Sequence, residues 1–136
     1  MSAAQDGRSI VEAFFRAAGT GDIGTALSLI ADDCIWTYHA PKEDVPFAGE
    51  FRGKEGVASF FQITASVLTI DAMEISEILA FGDVVVVRGR ETCTVHATGA
   101  QYRAEWLHLV RTDGRTITAY DEHVDSATIA KALRGG

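Results

Sequence analysis

FGDVVVVRGRETCTVHATGAQYRAEWLHLVRTDGRTITAYDEHV, residues 81–124, sets β-branched and aromatic runs between the pairs Gly82-Asp83, Thr98-Gly99 and Asp113-Gly114. Runs of this composition broken by glycine-containing pairs predict three successive antiparallel strands joined by tight turns. Alternate side chains of a strand share a face, so Val85, Val87, Gly89, Glu91, Cys93 and Val95 form one largely apolar row with a carboxylate in its middle. On the next strand the apolar row is Tyr102, Ala104, Trp106, His108 and Val110, and on the last it includes Tyr120, Glu122 and Val124. Three ionisable groups, Glu91, His108 and Glu122, therefore fall on interior faces. Ionisable residues that break an otherwise consistent pattern are where function is expected.

Working outward toward the N-terminus, LTIDAMEISEILAF (68–81) keeps Met73, Ile75, Leu79 and Phe81 in one phase and reads as a long, bulged strand. Before it, Val57, Phe60, Phe61 and Thr64 mark one face of a helix, and KEDVPFAGEFRGKEG (42–56) reads as the loop leading into that helix. CIWTYHA (34–40) reads as a short strand closed by Pro41 and Pro46. The first helix, from about Arg8 to Ala18, carries Ile10, Val11, Phe14, Phe15 and Ala18 at helical spacing. A second helix follows with Asp22 as its N-cap and ends at Asp32-Asp33. GTGDIG (19–24) matches the dinucleotide pattern GxGxxG, but it joins two helical patterns instead of following a strand and reads as a helix–helix turn. After the last strand, Asp125 or Ser126 caps a short helix carrying Ile129 and Leu133.

The result is one α+β domain over residues 1–136, a strongly curved mixed or antiparallel sheet with helices packed on its concave face. Such a sheet is not filled everywhere by short helices, which leaves a concave apolar pocket. With 12 Lys and Arg against 19 Asp and Glu, the net charge of −7 excludes nucleic acid and anionic membranes as partners. No apolar run reaches the roughly 20 residues that cross a bilayer. The polar start MSAAQDGRS and two isolated cysteines fit a cytoplasmic protein.

The opening helices, FAGEFRGKEGVASFF (47–61), GDVVVVRGRETCTVHATG (82–99), EWLHLVRTDGRTIT (105–118) and YDEHVDSATIAKAL (120–133) resemble the SnoaL-like branch of the nuclear transport factor 2-like (NTF2-like) superfamily. Polyketide cyclases, ketosteroid isomerase and limonene epoxide hydrolase are its members. The resemblance implies a cone-shaped fold, a pocket for a small apolar molecule and a homodimer. Acidic groups of the epoxide hydrolase pattern fall at Glu91 and Glu122, with an aromatic at Tyr120, but Gly89 stands where that hydrolase needs an arginine. Phe14 and Phe15 stand where the isomerase has its tyrosine. Near the end of the last strand, Asp121-Glu122-His123 replaces the more usual Arg-Glu-aromatic.

Glu91, Glu122 and His108, if they meet, hold an acid and a base in one dry site and are the expected catalytic groups. Trp106, Tyr120, His39, Cys93, Val124, Phe14 and Phe60 are the expected substrate-binding residues, with Trp36 read as core. His108, Glu122 and His39 have donor atoms that suit zinc or iron, but no HxH or HxxxE spacing joins them, so neither a metal nor another cofactor is expected. Two readings stand: an acid/base enzyme of isomerase, cyclase, hydratase or hydrolase type on a small apolar carbonyl or hydroxyl compound, and a non-catalytic binder of a small hydrophobic ligand. A third, a dimerisation module, needs the pocket filled by side chains.

Overall fold

Helix α1 (Gly7–Gly19) starts where the Asp6 side chain accepts the Ser9 backbone N–H, and it buries Ile10, Val11, Phe14 and Ala17. The computed structural model in which this is seen describes residues 6–135. Asp22 caps the short α2 (Ile23–Ser28) through Thr25, as its sequence position predicts. There follow β1 (Ile30–His39), β2 (Gly49–Arg52), α3 (Gly53–Val67), β3 (Leu68–Phe81), β4 (Val84–Val95), β5 (Gln101–Thr112), β6 (Ile117–Val124) and α4 (Ser126–Leu133), the last capped by Asp125.

The six strands form one sheet in the order β2-β1-β6-β5-β4-β3. All neighbours are antiparallel except β1 and β6, which run parallel and bring the first strand beside the last. The hairpins turn at glycines with positive φ, Gly82 at 63° and Gly99 at 73°, backbone that a residue with a Cβ rarely adopts. Burial along β5 alternates strictly, with Tyr102, Ala104, Trp106, His108 and Val110 inside, and β4 and β6 keep the predicted phase. On this concave face Phe14 of α1 packs on Trp36, Tyr120 and Phe61, and Phe60 of α3 packs on Trp36 and Tyr38.

Three expectations are corrected. Asp32 and Asp33 do not end α2; they lie exposed within β1, where the pairing with β6 shifts register between Ile30 and Ile35. Residues 42–56, expected as a loop, contain β2, a four-residue strand held by pairing with β1. In β3 the four apolar residues do not share a face. Register shifts at Ile70/Ala72 and Ile75/Glu77 leave Met73 opposite Glu91 and Ile75 opposite Gly89, on the concave side, but put Leu79 opposite Val86 and Phe81 opposite Val84, on the convex side. Each bulge reverses the alternation downstream of it.

Candidate functional site

Between the concave face and helices α1 and α3 lies a cavity of about 640 Å³, within the size range of small-molecule sites. Ten of the chain's twelve aromatic side chains line it, and none of its twelve lysines and arginines does. The pattern that builds it is visible strand by strand. His108 stands opposite Glu122 across β5 and β6, Trp36 and Tyr38 lie beside Tyr120 and Glu122 across β1 and β6, and Glu91 faces Ala104 across β4 and β5.

Glu122 is 8% exposed and fully engaged. Its Oε2 accepts the Trp36 Nε1–H at 2.8 Å, and its Oε1 lies 3.1 Å from His108 Nε2. On the other side of the imidazole, Nδ1 is 2.6 Å from the Tyr120 hydroxyl. The tautomer assigned from these contacts carries its proton on Nε2, facing the carboxylate, and accepts the Tyr120 O–H at Nδ1. Trp36 stacks on Tyr120 with centroids 3.8 Å apart and an interplanar angle of 6°, which fixes both ends of the chain of contacts. Each polar group in it has a partner, so the network holds a negative charge in place and leaves little spare hydrogen-bonding capacity.

Glu91 differs. It is half-buried and lines the cavity, and among the described residues it has no ion-pair partner. Burial first, and the neighbouring Glu122 charge second, raise its proton affinity until the carboxyl titrates at about 7, while contact with the Cys93 thiol works the other way. The negative field reaches further. Tyr38 and Tyr102 both hold their protons far more tightly than an ordinary phenol, through burial and then through carboxylate charge, Glu122 for Tyr38 and Glu91 for Tyr102. Cys93 is pushed up to about 12 by burial and by Glu91, so it is no nucleophile.

His108 and Glu122 meet as expected, whereas Glu91 shares their cavity without touching them, because Trp106 and Ala104 lie between on β5. Trp106, Tyr120, Val124, Phe14 and Phe60 line the cavity. Cys93 is buried on the same face but behind the wall, beside Glu91 and Tyr102. His39 is not at the site: its phase in β1 sends it to the convex face, where it contacts Asp121 at 2.8 Å and stacks on His123. His108, Glu122 and His39 therefore do not converge on one point.

Trp36, read as core, is an anchor of Glu122, and Tyr38 and Tyr102, which are not among the expected substrate-binding residues, also line the cavity. The alternation within CIWTYHA carried that signal, since Trp36 and Tyr38 share one phase and His39 takes the other. Gly89 also has a reason. A Cβ there would collide with the Trp106 ring and the Glu74 carbonyl, so the indole occupies the space an arginine at this position would need. Stacking on His108 and Phe15 holds that ring, and its Nε1–H is buried without an acceptor among the described residues.

A family model described as SnoaL-like domain matches residues 11–120. Among solved structures, an NTF2-like protein from Burkholderia xenovorans LB400 is 27% identical with a TM-score of 0.82, covering 98% of each chain. Another from Burkholderia thailandensis E264 is 22% identical with a TM-score of 0.87, covering 95% of this chain and 98% of the other. An LEH-like epoxide hydrolase from M. tuberculosis is 20% identical with a TM-score of 0.72, covering 93% of this chain and 89% of that one. No curated protein matches. The alternating strands, the aromatic cavity and the match over residues 11–120 agree, and the chain belongs to the SnoaL-like domain family of the NTF2-like superfamily.

Proposed function

We propose that this small-molecule-binding domain is an acid/base enzyme acting on a small, largely apolar hydroxyl or carbonyl compound, with Glu91 as the group that gives and takes the proton. The observation that carries this reading is Glu91 itself, a carboxyl that titrates at about 7 inside an apolar cavity. A general acid works best with a pKa near the working pH. Glu122, pinned by Trp36 and His108, sets the field instead of moving a proton. Because that field is negative, it stabilises positive charge developing on a protonated substrate and disfavours an enolate. Hydration, dehydration or cation-type cyclisation suits it better than oxyanion chemistry. The Trp106 ring over Gly89 removes the arginine of the epoxide hydrolase pattern, so hydrolysis by that mechanism is not the proposal.

The test uses D₂O. Tertiary allylic alcohols and apolar ketones are incubated with the protein, and deuterium incorporation is read by mass spectrometry. Wild type is expected to incorporate deuterium roughly 10²–10⁴ times faster than Glu91→Gln. No enzyme-dependent incorporation, with the same compounds bound by calorimetry, would leave the second reading, a binder that holds its ligand by apolar area alone.

The family resemblance and the convex face support a homodimer. Leu107 and Ile35 are 39% and 38% exposed there, and closed two-fold symmetry is the commonest way to cover such a surface. Sedimentation at micromolar concentration is expected to show twice the chain mass of 14.6 kDa. A species of single-chain mass at every concentration would rule the dimer out.

A further inference from the structure

The cavity holds more negative charge than the protein neutralises. Glu91 and Glu122 both line it, Asp71 lies at its β3 side, and among the described residues the sole basic side chain on its wall is His108, already against Glu122. Buried charges are normally paired, and here the lysine or arginine that would pair them is missing from the whole lining. The remaining wall is uncharged and ten of its side chains are aromatic, and aromatic faces attract cations. One more group points the same way. Tyr38 is 5% exposed and lines the cavity, and its hydroxyl has no hydrogen-bond partner among the described residues. Its oxygen, unlike the engaged Tyr120 hydroxyl, is left free to face a bound molecule.

We propose that the cavity selects organic cations, an ammonium or sulfonium centre on an apolar body, with the positive charge seated between Glu91 and Glu122 against the Trp36, Tyr38 and Trp106 rings. A metal ion does not suit a wall this apolar, since hard cations take several oxygen ligands; a soft, poorly hydrated organic cation does. The proposal concerns the charge of what binds and holds whether or not the molecule is turned over, so it stands or falls separately from the deuterium test.

Glu91 gives the proposal a pH signature. The titratable groups facing it are Glu122 on β6, Cys93 on its own strand, Tyr102 and His108 on β5, Tyr38 on β1 and Asp71 on β3; the lining residues of α1 and α3 are uncharged. Glu91 titrates at about 7. A cation that needs the ionised carboxylate must expel that proton below pH 7, so cation affinity rises with pH through this range.

Tryptophan fluorescence and calorimetry can follow phenyltrimethylammonium, its neutral isostere tert-butylbenzene, and the carboxylate anion 4-tert-butylbenzoate. Cation affinity is expected to rise about tenfold between about pH 6 and 8, with close to one proton released per cation at the lower pH. The neutral isostere should show no such rise, the anion should bind most weakly, and Glu91→Gln should flatten the cation's pH dependence. Cation affinity that is level with pH in wild type, a parallel rise for the neutral isostere, or tighter binding of the anion would each overturn the proposal.

Discussion

Glu91→Gln is expected to make the protein more stable than wild type at pH 8, by up to about 3 kcal/mol, and to leave it nearly unchanged at pH 4. The sign follows from the direction of the shift. In the folded protein the carboxyl titrates at about 7, above its ordinary value of 4.5. Between those values the unfolded chain has lost this proton while the folded chain still holds it, so stability falls as pH rises from about 4.5 and levels off above about 7. Each pH unit of that gap is worth about 1.4 kcal/mol. Glutamine is neutral throughout and has no such loss. Urea unfolding of both proteins across this pH range is the measurement. Equal stability at pH 8 would mean that Glu91 titrates as an ordinary carboxylate, and the acid/base reading would lose its main support. A stabilising change at the residue assigned the chemistry is also what a stability–activity trade-off looks like.

Glu122→Ala is expected to destabilise the fold by about 3 kcal/mol, because it leaves the Trp36 Nε1–H and the His108 imidazole buried without their partner and opens a small void. Glu122→Gln keeps an acceptor for Trp36 and should cost much less. It also removes the Glu122 charge, which after burial contributes most to raising Glu91, so the Glu91 titration should move down toward the ordinary carboxylate range. Carboxyl carbon chemical shifts against pH in wild type and in Glu122→Gln show this directly. A Glu91 midpoint that stays put in the variant would show burial alone at work and no coupling between the two groups.

How far the sequence carried these residues depended on the strand they sit in. β4, β5 and β6 alternate cleanly, so the inward phase of Glu91, His108 and Glu122 was legible from the pattern. Alternation fixes a face but not a register. That Glu91 sits across from Ala104, two positions away from Trp106 and clear of His108, depends on where the hairpin turns. β2 was illegible because four residues, Gly49–Arg52, become a strand only by pairing with β1. In β3 two bulges reset the phase, and nothing in LTIDAMEISEILAF marks where they fall. For Trp36 and Tyr38 the alternation of CIWTYHA gave the shared face but not what they meet there, because their partners Tyr120 and Glu122 in β6 lie more than eighty positions along the chain.

That separation matters for how the site comes into being. The Trp36–Glu122 bond spans 86 positions of sequence, and β1 meets β6 in parallel across the same span. Hairpins β3–β4 and β4–β5 are local and close quickly, whereas a pairing of such high contact order pays its loop entropy late. The anchored carboxylate, and with it part of the field that tunes Glu91, thus depends on the last strand of the sheet, and a chain stopped short of β6 would keep Glu91 and most of the aromatic wall while losing Glu122 and Tyr120.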